Sequence, residues 1–434
     1  MRKFLLSALL ASGLVSTALA QEDGETTPTP QSLTGDLIRA ASVYANADDY
    51  ETAKRMLEAT LAVKPGQIAY LRYLVIIAMQ ADRPGDAFAA LDRIVEAGLY
   101  MDITPYAEGL RQADAERFRA LHSALATNNA PEGSAERYVV IDEPDALIEG
   151  VAMDIETDRL FVSSVAGRQI LMFEPFSPDE PVVFADADDG LWSVFGIAVD
   201  DRTRMVWAAS GVVPQTPLGE GEEVGTALFA FDAVSGDLYR RFEIEGAQRI
   251  ADFVVRDGSV YVTDSGAPRI YVLDSISGRL RVLVEDERFS NLQGVALTRG
   301  ALYVADYSIG IWRIDLGDRS VSLVSPGEES LIGIDGLLQT RDGRLIAVRN
   351  GVTPHQVMAI DLDREGRRVD NVDVLLRNHP DMIDHTEPTL IDLADGRAWL
   401  VANGAWPLFP EDGSVPEQAR PPTYILELLV PQEQ

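Results

Sequence analysis

Two carboxylates and one carboxamide occupy equivalent positions in a phrase that recurs along the larger, C-terminal part of the chain. Glu149, Gln293 and Asp335 each stand immediately before the small residue that opens an apolar run. Carboxylate and amide oxygens can bind a divalent cation, and a carboxylate can also act as a general base. The alternative interpretation is a structural role, in which Glu149 and Asp335 only accept hydrogen bonds from backbone N–H groups where strands begin. The residues alone leave both interpretations open.

The recurring phrase consists of a small residue, an apolar run, a turn containing Asp or Gly, a second apolar run and a polar end. It occurs six times, at 149–164, 195–210, 251–265, 293–307, 335–350 and 388–403. Most copies are followed by a third apolar run, so each copy fits one four-stranded sheet. Such sheets bury both faces only by stacking on their neighbours. The pattern therefore predicts an all-β six-bladed propeller over residues 136–434.

Closure of this ring should leave no long free edge. We expect residues 138–142 to supply the outer strand of the last blade, whose inner strands come from the C-terminus. A β-sandwich is the alternative fold, but it does not explain six copies of one phrase.

The first strand of each blade lines the central channel, so one repeat position should face a common rim. Read around the ring, that position is occupied by Glu149, Phe195, Ala251, Gln293, Asp335 and Pro388, with Glu387 one residue earlier. Two long loops, 211–225 and 404–422, should wall one mouth of the channel, where propellers bind ligands. The residues that we expect to line a ligand there are Trp192, Phe195, Asp252, His385, Glu387 and Trp406.

The repeated phrases resemble the propellers of the gluconolactonase, senescence-marker-protein and strictosidine-synthase relatives and, more loosely, NHL repeats. The segments that carry the resemblance are EGVAMDIETDRLFVSS (149–164), YVTDS (261–265) and LYVAD (302–306). The resemblance covers about 260 residues of the chain.

In the lactonase relatives the rim resembles a divalent-metal site with one glutamate, one asparagine and one aspartate. The resemblance thus implies Glu149, Gln293 and Asp335 as metal ligands, Ca²⁺ as the expected ion, and Asp335 and Glu149 as catalytic residues. Two positions depart from the relatives: Gln293 stands where asparagine is expected, and Ala251 stands where a polar amide is expected. These departures weaken the implied metal site.

Residues 32–127 have a helical rather than a strand-like pattern, with a period of about 34 residues. Ala53 matches Ala87 and Leu57 matches Leu91 at that offset. The segment resembles tetratricopeptide repeats, which implies an all-α domain with a concave surface. That surface is either a docking groove for a protein partner or a structural appendage. Residues 128–135 read as a linker.

The first twenty residues are predicted to be a secretory signal peptide. Arg2 and Lys3 precede an apolar stretch, and Ala18 and Ala20 form a small-x-small cleavage pattern before Gln21. An N-terminal membrane anchor is the alternative. Residues 21–31 are acidic and rich in Thr and Pro, as in a disordered spacer. We therefore expect a periplasmic or secreted protein with no membrane insertion after the signal is removed.

Composition excludes several classes of function. The formal net charge of −32 repels phosphate backbones, so nucleic-acid binding is not expected. Because the chain has no cysteine, disulfides, thiolate metal sites and cysteine nucleophiles are excluded. Two hypotheses remain: a binding module that holds a small ligand or protein partner at the propeller mouth, or a calcium-dependent hydrolase of lactones or esters. The changed rim positions favour binding slightly, and the fold alone does not decide.

Overall fold

The computed structural model describes most of the chain after residue 29. The described ranges are 30–63, 67–143, 146–175, 177–244, 246–256, 258–274, 278–298, 300–327, 329–383, 385–410, 412–414, 416 and 420–431. The predicted signal peptide (1–20) and the spacer up to residue 29 lie outside the described residues.

The chain divides into two compact units. One ends at Ala130 and also includes Gly351–Pro354, and the other comprises Pro131–Asn350 and His355–Gln434. In the described ranges no helix is both long enough and apolar enough to cross a membrane.

The first unit is helical, as the 3.6-residue periodicity predicts. Within its described residues the α-helices are α1 (Pro30–Asn46), α2 (Tyr50–Val63), α3 (Ile68–Gln80), α4 (Pro84–Glu96), α5 (Ala107–Ala113) and α6 (Ala115–Asn128), with a short 3₁₀ helix at Thr104–Tyr106. Pro84 begins α4, where its missing N–H costs nothing. Asp114 caps α6 by accepting from the backbone N–H groups of Glu116 and Arg117.

The predicted core positions of the helical unit are buried. Ala53 and Ala87, the matched small residues, have no exposed surface, and the same holds for Leu57 and Leu91. A small side chain lets the paired helices approach closely, which explains its recurrence. The N-terminal all-α region is therefore confirmed, whereas its tetratricopeptide character stays a prediction.

The second unit consists of short antiparallel strands. Over the described residues they are β1 (Glu132–Gly133), β2 (Glu136–Ile141), β3 (Ile148–Asp154), β4 (Arg159–Ser164), β5 (Gln169–Glu174), β6 (Ser177–Ala185), β7 (Ser193–Asp200), β8 (Met205–Gly211), β9 (Thr226–Asp232), β10 (Leu238–Glu243), β11 (Ile250–Arg256), β12 (Ser259–Asp264), β13 (Arg269–Asp274), β14 (Arg279–Glu285), β15 (Leu292–Leu297), β16 (Ala301–Asp306), β17 (Gly310–Asp315), β18 (Val321–Leu323), β19 (Ile334–Gln339), β20 (Leu345–Arg349), β21 (Gln356–Leu362), β22 (Val369–Arg377), β23 (Ile391–Ala394), β24 (Arg397–Val401) and β25 (Thr423–Leu429).

These strands form six sheets in the described part of the chain. Four sheets have the simple orders β3–β6, β7–β10, β11–β14 and β15–β18. The inner strands β3, β7, β11, β15, β19 and β23 contact one another in that order, and β23 contacts β3. The sheets therefore stand in a closed circle, which confirms the six-bladed propeller.

Each pair of neighbouring blades encloses its own apolar core. Between the last blade and the first, for example, Val401 and Ile425 pack with Val151 and Val162. Trp207, Trp312 and Trp399 belong to three such cores, as expected for inter-blade tryptophans. Because every sheet needs neighbours on both faces, burial of apolar surface favours the closed ring.

The ring is closed by β2, which pairs antiparallel with β25 in the order β2-β25-β24-β23. The predicted outer strand at 138–142 is thus confirmed within one or two residues. The segment predicted as a linker contains β1, which adds a fifth strand to the blade β19–β22. A Glu132–Arg377 ion pair of 2.6 Å reinforces this pairing.

The small residue that opens each phrase has a steric cause. A Cβ at Gly294 would lie 2.3 Å from the backbone N of Leu337 in the next blade. A Cβ at Gly150 would lie 2.7 Å from the carbonyl O of Phe195. At Gly150 and Gly294 the neighbouring inner strands therefore approach too closely for a side chain. The residues immediately before these glycines consequently crowd around one hole.

Candidate functional site

Four carboxylates from four different blades lie close enough to perturb one another at this rim. They are Glu149 in β3, Asp252 in β11, Asp335 in β19 and Glu387, which precedes β23 and bridges to Gly404. All four side chains are only partly exposed. Glu149 and Asp335 are 186 residues apart in the sequence, yet the charge of Asp335 contributes to raising the pKa of Glu149.

Burial is the main reason that the pKa values of these carboxyls are raised. It raises the pKa of Glu387 to about 8, with a further contribution from the charge of Asp335. Burial likewise raises the pKa of Asp252 to about 7, and Asp335 again contributes. Burial and the charge of Asp335 raise the pKa of Glu149 well above its usual range, although a hydrogen bond from Trp406 opposes the shift. Like charges held together in this way disfavour full ionisation.

A cation would relieve this repulsion, and the donor set is one of hard oxygens. Among the described residues, however, no three Asp, Glu, His or Cys side chains lie close enough to share one ion. The fitting ligand set is therefore two carboxylates supplemented by amide oxygens and water. Gln293 stands in β15 on this rim, and its amide donates to Asn291 Oδ1 at 3.1 Å.

Asn350, which follows β20, provides a separate indication of a cation. Its Nδ2 donates to Asp335 Oδ2 at 2.7 Å and to the carbonyl O of Pro388 at 2.8 Å. Two acceptors on that side fix the orientation of the amide. Among the residues that the structure describes, the buried Oδ1 then has no hydrogen-bond partner. An orphaned buried acceptor beside a set of carboxylates fits a site that is completed by a cation or a donor group.

The carboxylates of the predicted metal site do not cap backbone donors. In the described part of the chain Glu149 accepts from Trp406 Nε1, and Asp335 accepts from Asn350 Nδ2. By contrast Asp264 and Asp306, which end second strands, do hold the backbone N–H groups of the preceding loops. The structural role, in which a carboxylate accepts from backbone N–H groups, thus describes Asp264 and Asp306 better than it describes Glu149 and Asp335.

The remaining predicted ligand-lining residues fall into different environments. Trp406 is partly exposed and contacts Glu149, whereas Phe195 is buried in a small apolar cluster beside it. Trp192 is buried below loop 211–225, where its Nε1 donates to the carbonyl O of Glu223 at 2.9 Å. His385 is exposed and has a φ of 73°. Of the three predicted aromatic residues, Trp192, Phe195 and Trp406, it is Trp406 that donates a hydrogen bond to a carboxylate of the site.

Two residues that the sequence analysis did not select also belong to this site. Burial raises the pKa of Tyr307 well above its usual range, and the charges of Glu387 and Asp335 add to the shift. Arg249 lies near Glu149, and its Nε donates to Ser265 Oγ at 2.7 Å. Tyr307 and Asn350 each close a copy of the repeated phrase, so the polar end of the phrase was the available signal.

Comparisons with known proteins give the following results. No family model and no curated protein matches the chain. Matching solved structures include a gluconolactonase from Xanthomonas campestris, with 17% identity over 70% of this chain and 92% of that one and a TM-score of 0.45. The PQQ-bound aldose sugar dehydrogenase from Streptomyces coelicolor has 15% identity over 69% and 99%, with a TM-score of 0.43. The fold assignment rests on the six sheets of this chain, and the site rests on its own residues.

Proposed function

We propose that the protein is a divalent-cation-dependent hydrolase of lactones or esters, with its site at the rim of the propeller channel. The observation that carries the proposal is the convergence of Glu149, Asp252, Asp335 and Glu387 from four blades. Holding four carboxylates together in partly buried positions costs free energy, which a bound cation would offset. A purely structural rim has no need for such an arrangement.

Glu149, Asp335 and the amide oxygen of Gln293 are the residues that would hold the cation, and Ca²⁺ fits their oxygen donors best. When bound, such a cation supplies polarisation of a carbonyl group and of a water molecule. Asn350 holds Asp335 in place through Nδ2. In the cation-free protein the pKa of Glu387 is about 8 and that of Asp252 is about 7, and a cation bound beside Asp335 would lower both pKa values. Either carboxylate is therefore suited to act as general base.

The alternative is a binding protein without turnover. It is favoured by the apolar character of three of the six rim positions, namely Phe195, Ala251 and Pro388. A protein partner could then dock on the helical unit. That unit has a cavity of about 300 Å³ lined in part by Arg111, Phe118 and His122.

The test combines metal analysis with a hydrolysis screen on the purified chain lacking residues 1–20. We expect one bound divalent cation per chain and turnover of a lactone or ester that is lost in chelator and restored by Ca²⁺. Glu149→Gln and Asp335→Asn should abolish both, whereas Glu108→Gln, an exposed residue of α5, serves as the matched control. Cation binding without turnover of any ester or lactone would favour the binding protein. Absence of cation binding would contradict both the site and the activity.

We also propose that the protein acts outside the cytoplasm. The support is the pattern of residues 1–20, in which Arg2 and Lys3 precede an apolar stretch and a small-x-small cleavage pattern. The exported protein is expected to begin at Gln21, which N-terminal sequencing of the protein recovered from a periplasmic fraction checks. Recovery of the intact N-terminus in a membrane fraction would indicate an anchor instead.

A further inference from the structure

The two long loops after β8 and β24 contact each other beside the carboxylates. Gln215 Nε2 donates to the carbonyl O of Pro410 at 2.9 Å. At Gly413, where φ is 74°, a Cβ would lie 2.0 Å from the carbonyl O of Pro214. The described residues of loops 211–225 and 404–422 therefore meet through Pro214, Gln215, Pro410 and Gly413, and we call the described part of these two loops the loop wall.

The loop wall presents apolar side chains next to Glu149, although the guanidinium of Arg420, in the same loop, lies 4.3 Å from the centre of the Phe409 ring. Phe195 and Val213 are buried in a small cluster with Leu147, Val165 and Ala405. Trp406, Leu408 and Phe409 pack against this cluster and are only partly buried. Because Trp406 Nε1 donates to Glu149 Oε2, the apolar surface begins at a carboxylate of the site.

The loop wall is held in place by charged and aromatic side chains. Arg168 is buried and donates to the carbonyl O atoms of Leu191 at 2.8 Å and Pro217 at 2.9 Å, and it also pairs with Glu222. Trp192 fixes the end of the same loop through the carbonyl O of Glu223. These contacts fix loop 211–225, against which Pro410 and Gly413 of the other loop rest.

Polar residues lie on other blades of the same rim. Tyr307 and Gln293 come from the fourth blade, and Arg249 precedes β11 of the third. Near Glu149 the mouth thus carries both the apolar side chains of the loop wall and Arg249, and Tyr307 adds a polar group near Asp335 and Glu387. A polyhydroxylated sugar lactone would place hydroxyl groups against Trp406, Leu408 and Phe409, where they would lose hydrogen bonds to water without replacement.

From this arrangement we infer that the substrate is a lactone or ester with an apolar substituent, which packs against Trp406, Leu408 and Phe409 of the loop wall. The inference rests on the proposed hydrolase function and narrows its substrate class. Each methylene of the substituent that the wall buries should raise kcat/KM by about fourfold. A sugar lactone should be a poor substrate.

The experiment uses γ-lactones of increasing alkyl length, from γ-butyrolactone to γ-decalactone, with D-glucono-δ-lactone as the sugar lactone. We expect kcat/KM to rise with alkyl length and to exceed the value for gluconolactone by about tenfold or more. Phe409→Ser and Leu408→Ser should each lower the ratio of kcat/KM for γ-decalactone to that for γ-butyrolactone about tenfold. Phe409→Leu should retain most of that ratio.

Tyr239→Ser is the matched control, because Tyr239 is a large side chain on the outer strand β10 and is 68% exposed. Calcium-dependent turnover with no increase along the alkyl series, or a preference for gluconolactone, would overturn the inference and leave the hydrolase function standing. A cation-loaded protein that turns over no lactone or ester would overturn the function, and the inference with it.

Discussion

Asn350 donates a hydrogen bond of 2.7 Å from Nδ2 to Asp335 Oδ2 and so fixes this carboxylate at the channel rim. The same NH₂ group also donates to Pro388, next to Glu387, so one side chain links two blades at the site. Asn403 occupies the same position in the next copy of the repeated phrase. Its Nδ2 donates to Pro422 O, and its Oδ1 accepts from the backbone N of Tyr424 at 2.7 Å. The two asparagines therefore differ in two respects. Asn350 donates to a carboxylate whereas Asn403 donates to a backbone carbonyl, and among the described residues Oδ1 has a partner in Asn403 but none in Asn350.

Replacing Asn350 should weaken cation binding. In Asn350→Leu the carboxylate of Asp335 loses its donor, so its pKa rises further and its orientation is no longer fixed. We expect Ca²⁺ affinity to fall by about 10- to 100-fold, as for other residues that orient metal ligands. Titration calorimetry at two pH values measures the effect, and the loss should be larger at the lower pH.

The control for this substitution is Asn403→Leu. It removes hydrogen bonds of the same kind, so it should lower the melting temperature while Ca²⁺ affinity stays within about twofold of the parent. Equal losses of affinity in the two variants would mean that Asn350 acts through general stability of the blades rather than through Asp335.

Glu149→Gln should stabilise the cation-free protein and abolish its response to Ca²⁺. Removing this charge lowers the repulsion felt by Asp335, Glu387 and Asp252, while the amide can still accept from Trp406. Thermal unfolding in chelator should therefore show a higher melting temperature than that of the parent. In saturating Ca²⁺ the parent should gain several degrees and the variant should gain none.

The same experiment separates a cation site from a capping role. If a carboxylate only accepts hydrogen bonds from backbone N–H groups, converting it to an amide weakens those hydrogen bonds and destabilises the folded state. Such a variant would have a lower melting temperature in chelator as well. Asp306→Asn is the matched case, because Asp306 does accept from the backbone N–H groups of Ser290 and Asn291. We expect this variant to be destabilised with and without Ca²⁺.

The sequence was sufficient to predict the fold because the repeated phrase contains glycines at positions where the packing of neighbouring blades leaves no room for a side chain. Gly150 and Gly294 recur where a Cβ would collide with the next inner strand, and the spacing of the copies then gives the number of blades. The pairing of β2 with β25 also followed from the need to close the ring.

The site was predicted less completely. Glu149, Asp335 and Glu387 follow from the repeat position, but Tyr307, Arg249 and Asn350 reach the same rim from the ends of second strands or the loops before first strands. The directions of these side chains depend on the twist of each blade and on the lengths of the loops. The spacing of the repeated phrase in the sequence contains no information about either. Trp192 was expected to line a ligand. In the structure its Nε1 donates to the carbonyl O of Glu223 and so holds loop 211–225 in place.

Stability of the cation-free protein should fall as pH rises from about 4 to 8. The folded-state pKa values of Glu387, about 8, and Asp252, about 7, lie above their ordinary values of 4.5 and 3.8. The native state therefore binds more protons than the unfolded state in this window, so raising the pH favours unfolding. Below the ordinary values both states are protonated, and the contribution of these groups to stability is fully present there.

Melting temperatures measured in chelator across this window check the prediction. Glu387→Gln removes one carboxyl with a raised pKa, so the melting temperature of this variant should fall less steeply with pH. Saturating Ca²⁺ should raise the melting temperature most strongly near pH 8, where protons compete least with Ca²⁺ for the carboxylates. A melting temperature that is constant or rises from pH 5 to pH 8 in chelator would contradict the burial of these carboxyls together.

Ring closure by β2 should be essential for the stability of the propeller. Val139 and Val140 are adjacent in this strand, but Val139 is 2% exposed between the last and first blades, while Val140 is 39% exposed. Val139→Asp would bury a charge in an apolar core and should lower the free energy of unfolding by about 3 kcal/mol or more. Val140→Asp places the same charge in solvent and should change it by less than about 0.5 kcal/mol. Urea unfolding of both variants measures the difference, and equal, small effects would show that the ring stays closed without this strand.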